Sequence, residues 1–154
     1  MKAIVVFDSA HGNTEKIARA VAGALTGPMQ VTVLRAAQTK LQDLAGADLV
    51  AVGGPTVGGR ATPAMQAFLD RLLPGSLAGV RAITFDTRME IFVARLFGYA
   101  AIRIRDALES KGARILVDPE GFVVNGREGP LKSGEQERAA EWARTIPARM
   151  ERPT

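Results

Sequence analysis

Short apolar segments that favour strands alternate five times with segments of helical spacing. The first, residues 4–7, is a continuous β-branched and aromatic run, typical of a strand buried on both faces. The next carries Ile17, Val21 and Leu25 at intervals of four residues, as in a helix with one apolar face. This alternation predicts an α/β fold with three layers, in which helices cover both faces of a doubly wound parallel sheet. The five predicted strands are residues 4–7, 31–34, 49–52, 80–85 and 115–117.

Residues that cap helices indicate where the later helices begin. Thr62 followed by Pro63 predicts an N-cap and a proline in the first helical position. Thr39 and Ser133 each precede a glutamine by three residues, which is the spacing of a capping box. They predict a short helix over residues 39–44 and the last helix of the chain. The apolar stripes of the later helices are Met65, Phe68, Leu69 and Leu72; Phe97, Ala101, Ile104 and Leu108, ending near Gly112; and Ala139, Trp142, Ala143 and Ile146.

The chain has no internal repeat and no linker that would divide it. Its one irregular stretch, residues 118–132, contains an Asn-Gly pair and favours a small hairpin with residues 122–124 as one arm. We therefore expect a single domain over residues 1–154.

The composition excludes several classes of protein. The 154 residues include no cysteine, which excludes disulfides, thiolate nucleophiles and cysteine-ligated metal centres. No segment has the ~20 apolar residues of a membrane helix, and the apolar N-terminus stops at Asp8, too early for a signal peptide. We therefore expect a cytoplasmic protein. The net charge of +4 comes from scattered basic residues without interleaved aromatics, so nucleic-acid binding is not expected.

The loop after the first strand, residues 8–14, is small and polar. Its backbone N–H groups and the positive end of the following helix favour an anion such as a phosphate. The side chains of Ser9, Asn13 and Thr14 add donors. The alternative is a plain strand–helix turn capped by Asn13 or Thr14. The loop has neither the Gly-Lys-Ser/Thr of a Walker loop nor a three-glycine dinucleotide fingerprint.

Two further loops follow neighbouring strands. Residues 53–63 include four glycines, which allow close approach of a flat ligand, and are longer than most strand–helix connections. A flexible connection is the alternative. The third loop runs from Asp86 to about Arg95. If the strand order is 2-1-3-4-5, all three loops converge where the order reverses, which is where such sheets bind ligands.

These loops resemble those of the flavodoxin family. Residues 5–18, which include Ser9 and the run Gly12-Asn13-Thr14, resemble the flavodoxin phosphate loop. Residues 53–56 are similar to the second flavin-contacting loop, and residues 85–88 stand where the third begins. The resemblance covers almost the whole chain. It implies a flavodoxin-like fold, with a five-stranded sheet in the order 2-1-3-4-5, that binds FMN. The cofactor-binding residues that it implies are Ser9, Ala10, His11, Gly12, Asn13, Thr14, Pro55, Thr56, Val57, Gly58, Asp86, Thr87 and Arg88.

The sequence departs from that family in two ways. Flavodoxins often cover the ring with a Trp and a Tyr, whereas here Val57 and Met89 would take that place. Losing two such stacking pairs weakens binding by a factor of roughly 10 to 100. Flavodoxins are also usually acidic, whereas this chain is basic. If Arg60 and Arg88 lie near the ring, they favour its anionic reduced form, and Arg88→Glu should lower the reduction potential. The alternative is that both are solvated surface charges.

Two features leave more than one interpretation. Residues 90–99 hold three of the eight aromatic residues and are either the buried start of a helix or a lid or docking patch. An alanine at Phe92 would distinguish these by ligand affinity and stability. His11 either donates to a phosphate or faces solvent.

We therefore predict an FMN-binding electron-transfer protein whose redox partner presents an acidic face. The alternatives are an FMN-dependent NAD(P)H or quinone-type reductase and a flavin-free domain that binds a partner.

Overall fold

The computed structural model describes residues 1–90 and 98–152. Its strands are β1 (Lys2–Phe7), β2 (Gln30–Arg35), β3 (Leu49–Pro55), β4 (Arg81–Met89), β5 (Arg114–Ile115) and β6 (Glu120–Val124). They form one sheet in the order β2-β1-β3-β4-β5, with β6 as a second partner of β4, and all pairings between these strands are parallel. The order 2-1-3-4-5 is confirmed, and β6 is a sixth strand beyond the five that were predicted.

The edge position beside β4 is divided between two strands. The two residues of β5 pair with the start of β4, and β6 pairs with residues 85–89 at its end. Residues 122–124, predicted as a hairpin arm, lie in β6. The hairpin itself is reduced to an antiparallel bridge between Val124 and Leu131, because the outer side of β6 is bonded by the side chains of Glu135 and Arg138.

Helices cover both faces of the sheet. They are α1 (Asn13–Leu25), α2 (Pro63–Arg71), α3 (Ala100–Ser110), α4 (Glu135–Arg144) and α5 (Ile146–Met150). Successive residues of a strand point to opposite faces, so Val5 of β1 joins the core beneath α1, α4 and α5, whereas Ile4 and Val6 join the core beneath α2 and α3. This arrangement is the predicted three-layer fold.

The predicted helix starts have three outcomes. The Thr62 hydroxyl accepts the Met65 N–H at 3.2 Å, which confirms this N-cap. The helix predicted over residues 39–44 is a 3₁₀ turn over Leu41–Leu44, in which the Asp43 carboxylate accepts the Lys40 N–H at 2.8 Å. The cap predicted at Ser133 is wrong. Helix α4 instead follows Gly134, whose φ of 87° suits glycine and provides no capping side chain.

β3 and β4 continue further than predicted, into the segments interpreted as loops. Gly53, Gly54 and Pro55 belong to β3 and pair with residues 85–87 of β4. Gly53 is needed there because a Cβ at this position would overlap the Phe85 ring. The third loop therefore begins after Met89 rather than at residue 86.

Some predictions fall on residues 91–97, outside the described residues. These include Phe92, Phe97 and most of the proposed lid segment. Within residues 1–90 and 98–152, no helix is long and apolar enough to cross a membrane.

Candidate functional site

A cleft of about 290 Å³ lies at the carboxyl ends of β1, β3 and β4. It brings together the three segments predicted to bind a ligand, which contribute residues within the ranges 9–14, 55–58 and 87–89. Of the predicted site residues, Gly12 and Asp86 do not line it. The lining residues are Ser9, Ala10, His11, Asn13, Thr14, Pro55, Thr56, Val57, Gly58, Thr87, Arg88, Met89, Val124 and Arg127.

The Ser9 hydroxyl and a left-handed Gly12 shape the loop between β1 and α1. The Ser9 hydroxyl oxygen accepts the N–H groups of Gly12 at 3.0 Å and of Glu15 at 3.3 Å. The N-cap of α1 is Gly12 rather than Asn13 or Thr14. Gly12 has a φ of 87°, a left-handed conformation that lets the chain enter α1 at this point.

Several N–H groups beside this turn have no protein acceptor. Among residues 1–90 and 98–152, none accepts a hydrogen bond from the backbone N–H of Ala10, His11, Asn13 or Thr14. Together with the dipole of α1, such groups make a site for an anion.

The side chains of Asn13 and Thr14 connect this loop to other segments. The Asn13 amide donates to the Glu128 carbonyl at 3.1 Å, and the Thr14 and Thr87 hydroxyls are 2.7 Å apart. Both threonines are buried. These contacts hold α1 against β4 and against the segment after β6, so both side chains fix the shape of the cleft before any ligand enters.

The segment after β3 is a hydrogen-bonded turn rather than the flexible connection given as the alternative. Val57 and Arg60 exchange backbone hydrogen bonds of 2.9 and 3.1 Å around Gly58 and Gly59, whose φ values are 57° and 77°. Two positive φ angles define a tight hairpin turn that requires residues such as glycine. Val57 is 54% exposed at the end of this turn. Arg60 is exposed and does not line the cleft, contrary to the expectation that it lies beside a ligand.

Thr56 fixes this turn to the neighbouring elements. Its N–H donates to the Thr87 carbonyl at 2.9 Å, and its hydroxyl oxygen accepts the Ala100 N–H at 2.9 Å. The turn is therefore attached both to β4 and to the start of α3.

Asp86 and Arg88 form an ion pair at the end of β4. The Asp86 carboxylate is fully buried and accepts from Nε and Nη2 of Arg88 at 2.7 and 2.8 Å, and from the Ala101 N–H at 2.9 Å. Burial raises the pKa of Asp86, and the hydrogen bonds from Arg88 oppose that rise. Arg88 lines the cleft, but Asp86 offsets its charge, so Arg88 is not the isolated cation that the sequence suggested.

Comparison with known proteins identifies the family. The flavodoxin family model matches residues 5–142. The chain belongs to the flavodoxin family. No curated protein matches the sequence.

Solved structures share the fold of this flavodoxin. A flavodoxin from the domain Archaea is 22% identical, with 99% of this chain and 100% of that chain covered and a TM-score of 0.77. Oxidised flavodoxin 1 from Bacillus cereus is 18% identical, with 97% of each chain covered and a TM-score of 0.77. The rubredoxin oxygen:oxidoreductase of Desulfovibrio gigas is 19% identical and has a TM-score of 0.78. The match covers 97% of this chain and 36% of that one.

The described lining of this flavodoxin's cleft contains no Phe, Tyr or Trp. Met89, which we expected to replace an aromatic residue, lines the cleft together with Val57. The ring of Tyr99 instead packs on Arg88, with its centroid 3.4 Å from the guanidinium carbon.

Two lining residues, Val124 and Arg127, were not predicted from the sequence. Val124 is the last residue of β6, and Arg127 lies in the segment that returns from β6 towards α1. No local sequence pattern predicts that contact. In the structure, Gly129 permits the contact, because a Cβ there would overlap the Asn13 amide.

Proposed function

We propose that this flavodoxin binds FMN in the cleft and carries electrons between redox partners. The observation that carries the proposal is the position of the unpaired N–H groups at the start of α1. They border a cleft at the point where the strand order reverses, between β1 and β3. Family membership supports FMN as the ligand, since flavodoxins bind a flavin, usually FMN.

The residues present fit FMN in two respects. The N–H groups of Ala10, His11, Asn13 and Thr14 suit its phosphate, and a wall of Thr56, Val57, Gly58, Thr87, Arg88 and Met89 suits its ring. The bound flavin would supply the redox chemistry. The protein orients the flavin, excludes water from part of its surface and sets the charge around it. Asp86 belongs to this site as the partner of Arg88, not as a contact.

The direct test is a titration of the purified protein with FMN and with riboflavin, followed by flavin absorbance and fluorescence. Riboflavin is the matched control because it lacks only the phosphate. We expect saturable one-to-one binding of FMN, much tighter than that of riboflavin. Equal weak binding of both, or none, contradicts FMN binding and favours the flavin-free domain.

Turnover distinguishes a carrier from a reductase. A carrier loaded with FMN should reduce a quinone only slowly when NAD(P)H is the sole electron donor, because a carrier has no site that holds the nicotinamide against the flavin. Rapid, saturable NAD(P)H oxidation would favour the reductase.

We also propose that the redox partner presents an acidic face. The support is the net charge of +4, together with the exposed Arg127 in the lining of the cleft.

A further inference from the structure

We infer that Arg127 is the cation that recognises the phosphate of the ligand. This inference rests on the proposed function, because it concerns the same cleft, and it adds a residue that neither the sequence motif nor the family match assigns.

The position of Arg127 is fixed by its neighbours in the chain. Residues 125–130 form a closed turn, in which the Asn125 N–H donates to the Pro130 carbonyl at 2.9 Å and the Gly129 N–H to the Gly126 carbonyl at 3.0 Å. The Glu128 carbonyl accepts the Asn13 amide at 3.1 Å, which fastens the turn to the first residue of α1.

Gly129 allows this close approach. A Cβ on Gly129 would overlap the Asn13 amide, and its φ of 101° lies in the region that favours glycine, so glycine suits this close approach. Arg127 is therefore held within one residue of a direct contact with the start of α1.

The charges around the cleft distinguish Arg127 from the other arginines. Arg88 is paired with the buried Asp86, and Arg60 does not line the cleft. Arg127 lines the cleft, is exposed, and makes no ion pair or hydrogen bond with any residue in the described ranges 1–90 and 98–152. A ligand can recruit its guanidinium without breaking an existing contact.

The chemistry of this group suits a phosphate monoester. The planar guanidinium donates two parallel hydrogen bonds to phosphate oxygens, whereas the unpaired N–H groups of the loop donate from the helix side. The two sets of donors border the same cleft and come from different segments. Binding of a dianion would thus join the turn at residues 125–130 to α1.

The test compares FMN and riboflavin affinities in the wild type, Arg127→Gln and Arg127→Lys. Arg152→Gln is the matched control, since it removes the same charge from an exposed residue that does not line the cleft. Circular dichroism and thermal unfolding verify that each variant folds.

We expect Arg127→Gln to weaken FMN binding by about 10-fold to 100-fold and to leave riboflavin binding unchanged. Arg127→Lys should retain part of the affinity, because it keeps the charge but not the paired donors. The FMN dissociation constant of Arg127→Gln should also depend less steeply on salt. Arg152→Gln should resemble the wild type.

Three results would overturn the inference. If the wild type prefers FMN to riboflavin and Arg127→Gln keeps that preference, Arg127 does not contact the phosphate and the proposed function stands. If Arg127→Gln weakens both ligands equally, its role is in the ring site or in folding. If the wild type itself has no preference for FMN, the proposed function and this inference both fail.

Discussion

At the scale of single residues, Asp86 and Arg88 differ in their access to the cleft. Arg88 lines it, whereas Asp86 lies fully buried behind it. A ligand beside this pair meets a guanidinium whose charge is offset by a carboxylate a hydrogen bond away. The effect of Arg88 on the reduction potential of a bound flavin therefore depends on Asp86. The sequence alone did not reveal that these two side chains are paired.

We predict that Asp86→Asn raises the reduction potential of bound FMN. Removing the carboxylate leaves the Arg88 charge uncompensated, and that charge favours the anionic reduced flavin. The substitution also loses a hydrogen bond to a charged group and should lower the free energy of unfolding by about 1–3 kcal/mol. Redox titration of the FMN-loaded protein measures the shift. Asp118→Asn, at an exposed residue that does not line the cleft, is the control. An unchanged or lower potential in Asp86→Asn would contradict this account of the pair.

The glycine at position 53 gives a second prediction at this scale. A Cβ there would overlap the Phe85 ring in the middle of the sheet, so Gly53→Ala should reduce the free energy of unfolding by about 1–3 kcal/mol. Gly23 in α1 is the matched control, because a Cβ there meets open space. Gly23→Ala should stabilise the protein by up to about 1 kcal/mol. Urea unfolding of both variants measures the difference, and similar values for the two would refute the steric argument.

At the scale of secondary-structure elements, α4 and β6 are connected by Glu135 and Arg138. The Glu135 carboxylate accepts the Val123 N–H at 2.7 Å and two hydrogen bonds from Arg138, which also donates to Glu120 and to the Gly121 carbonyl. The hydrogen bonds from Arg138 hold the pKa of Glu135 below its usual range, whereas burial opposes this.

This connection predicts a dependence of stability on pH. Because the folded-state pKa of Glu135 is lowered, the unfolded chain takes up a proton first as the pH falls below about 4.3. The contribution of Glu135 is present above that pH and is lost as the pH falls through the folded-state pKa. Glu135→Gln should cost about 1–3 kcal/mol near neutral pH and flatten the acid limb of the stability profile. Glu137→Gln, at an exposed residue of the same helix, should do neither. Denaturant unfolding between pH 3 and pH 7 tests both, and a profile unchanged by Glu135→Gln would contradict the assignment.

The elements also show what the sequence could and could not predict. Strand–helix alternation was enough for a parallel sheet covered by helices, because parallel strands need crossover connections. The order 2-1-3-4-5 came from the resemblance to flavodoxins, since doubly wound sheets with the same alternation have other orders as well. The ends of β3 and β4 were not predictable locally, since the glycines at 53 and 54 suggest a loop until strand pairing with residues 85 and 86 is known. The Ser133 cap failed because Gly134 supplies the turn through its own φ.

The candidate site was partly predictable from the sequence. Its first two segments follow strands and have unusual local composition. Arg127 has no local signal, since its place at the cleft depends on the contact between Asn13 and Glu128, which are far apart in the chain.

At the scale of the whole molecule, the charge predicts how the protein meets a partner. A net charge of +4 should accelerate encounter with an acidic redox protein, and salt should screen that attraction. We expect the bimolecular rate of electron transfer to fall as ionic strength rises from about 0.01 M to about 1 M. A neutral quinone as acceptor is the control and should show little salt dependence. Stopped-flow mixing measures both rates, and a rate that rises with salt would exclude an acidic docking face.

The divided edge beside β4 affects how the protein behaves at high concentration. An exposed strand edge is a template for another chain, and folded proteins block it to avoid aggregation. On the outer side of β6 the Val123 N–H and the Gly121 carbonyl are already bonded by the side chains of Glu135 and Arg138. β5 offers only two residues. Helix α4 thus closes that edge with its own side chains, and a second copy of the chain finds no continuous ladder there to extend into a fibril.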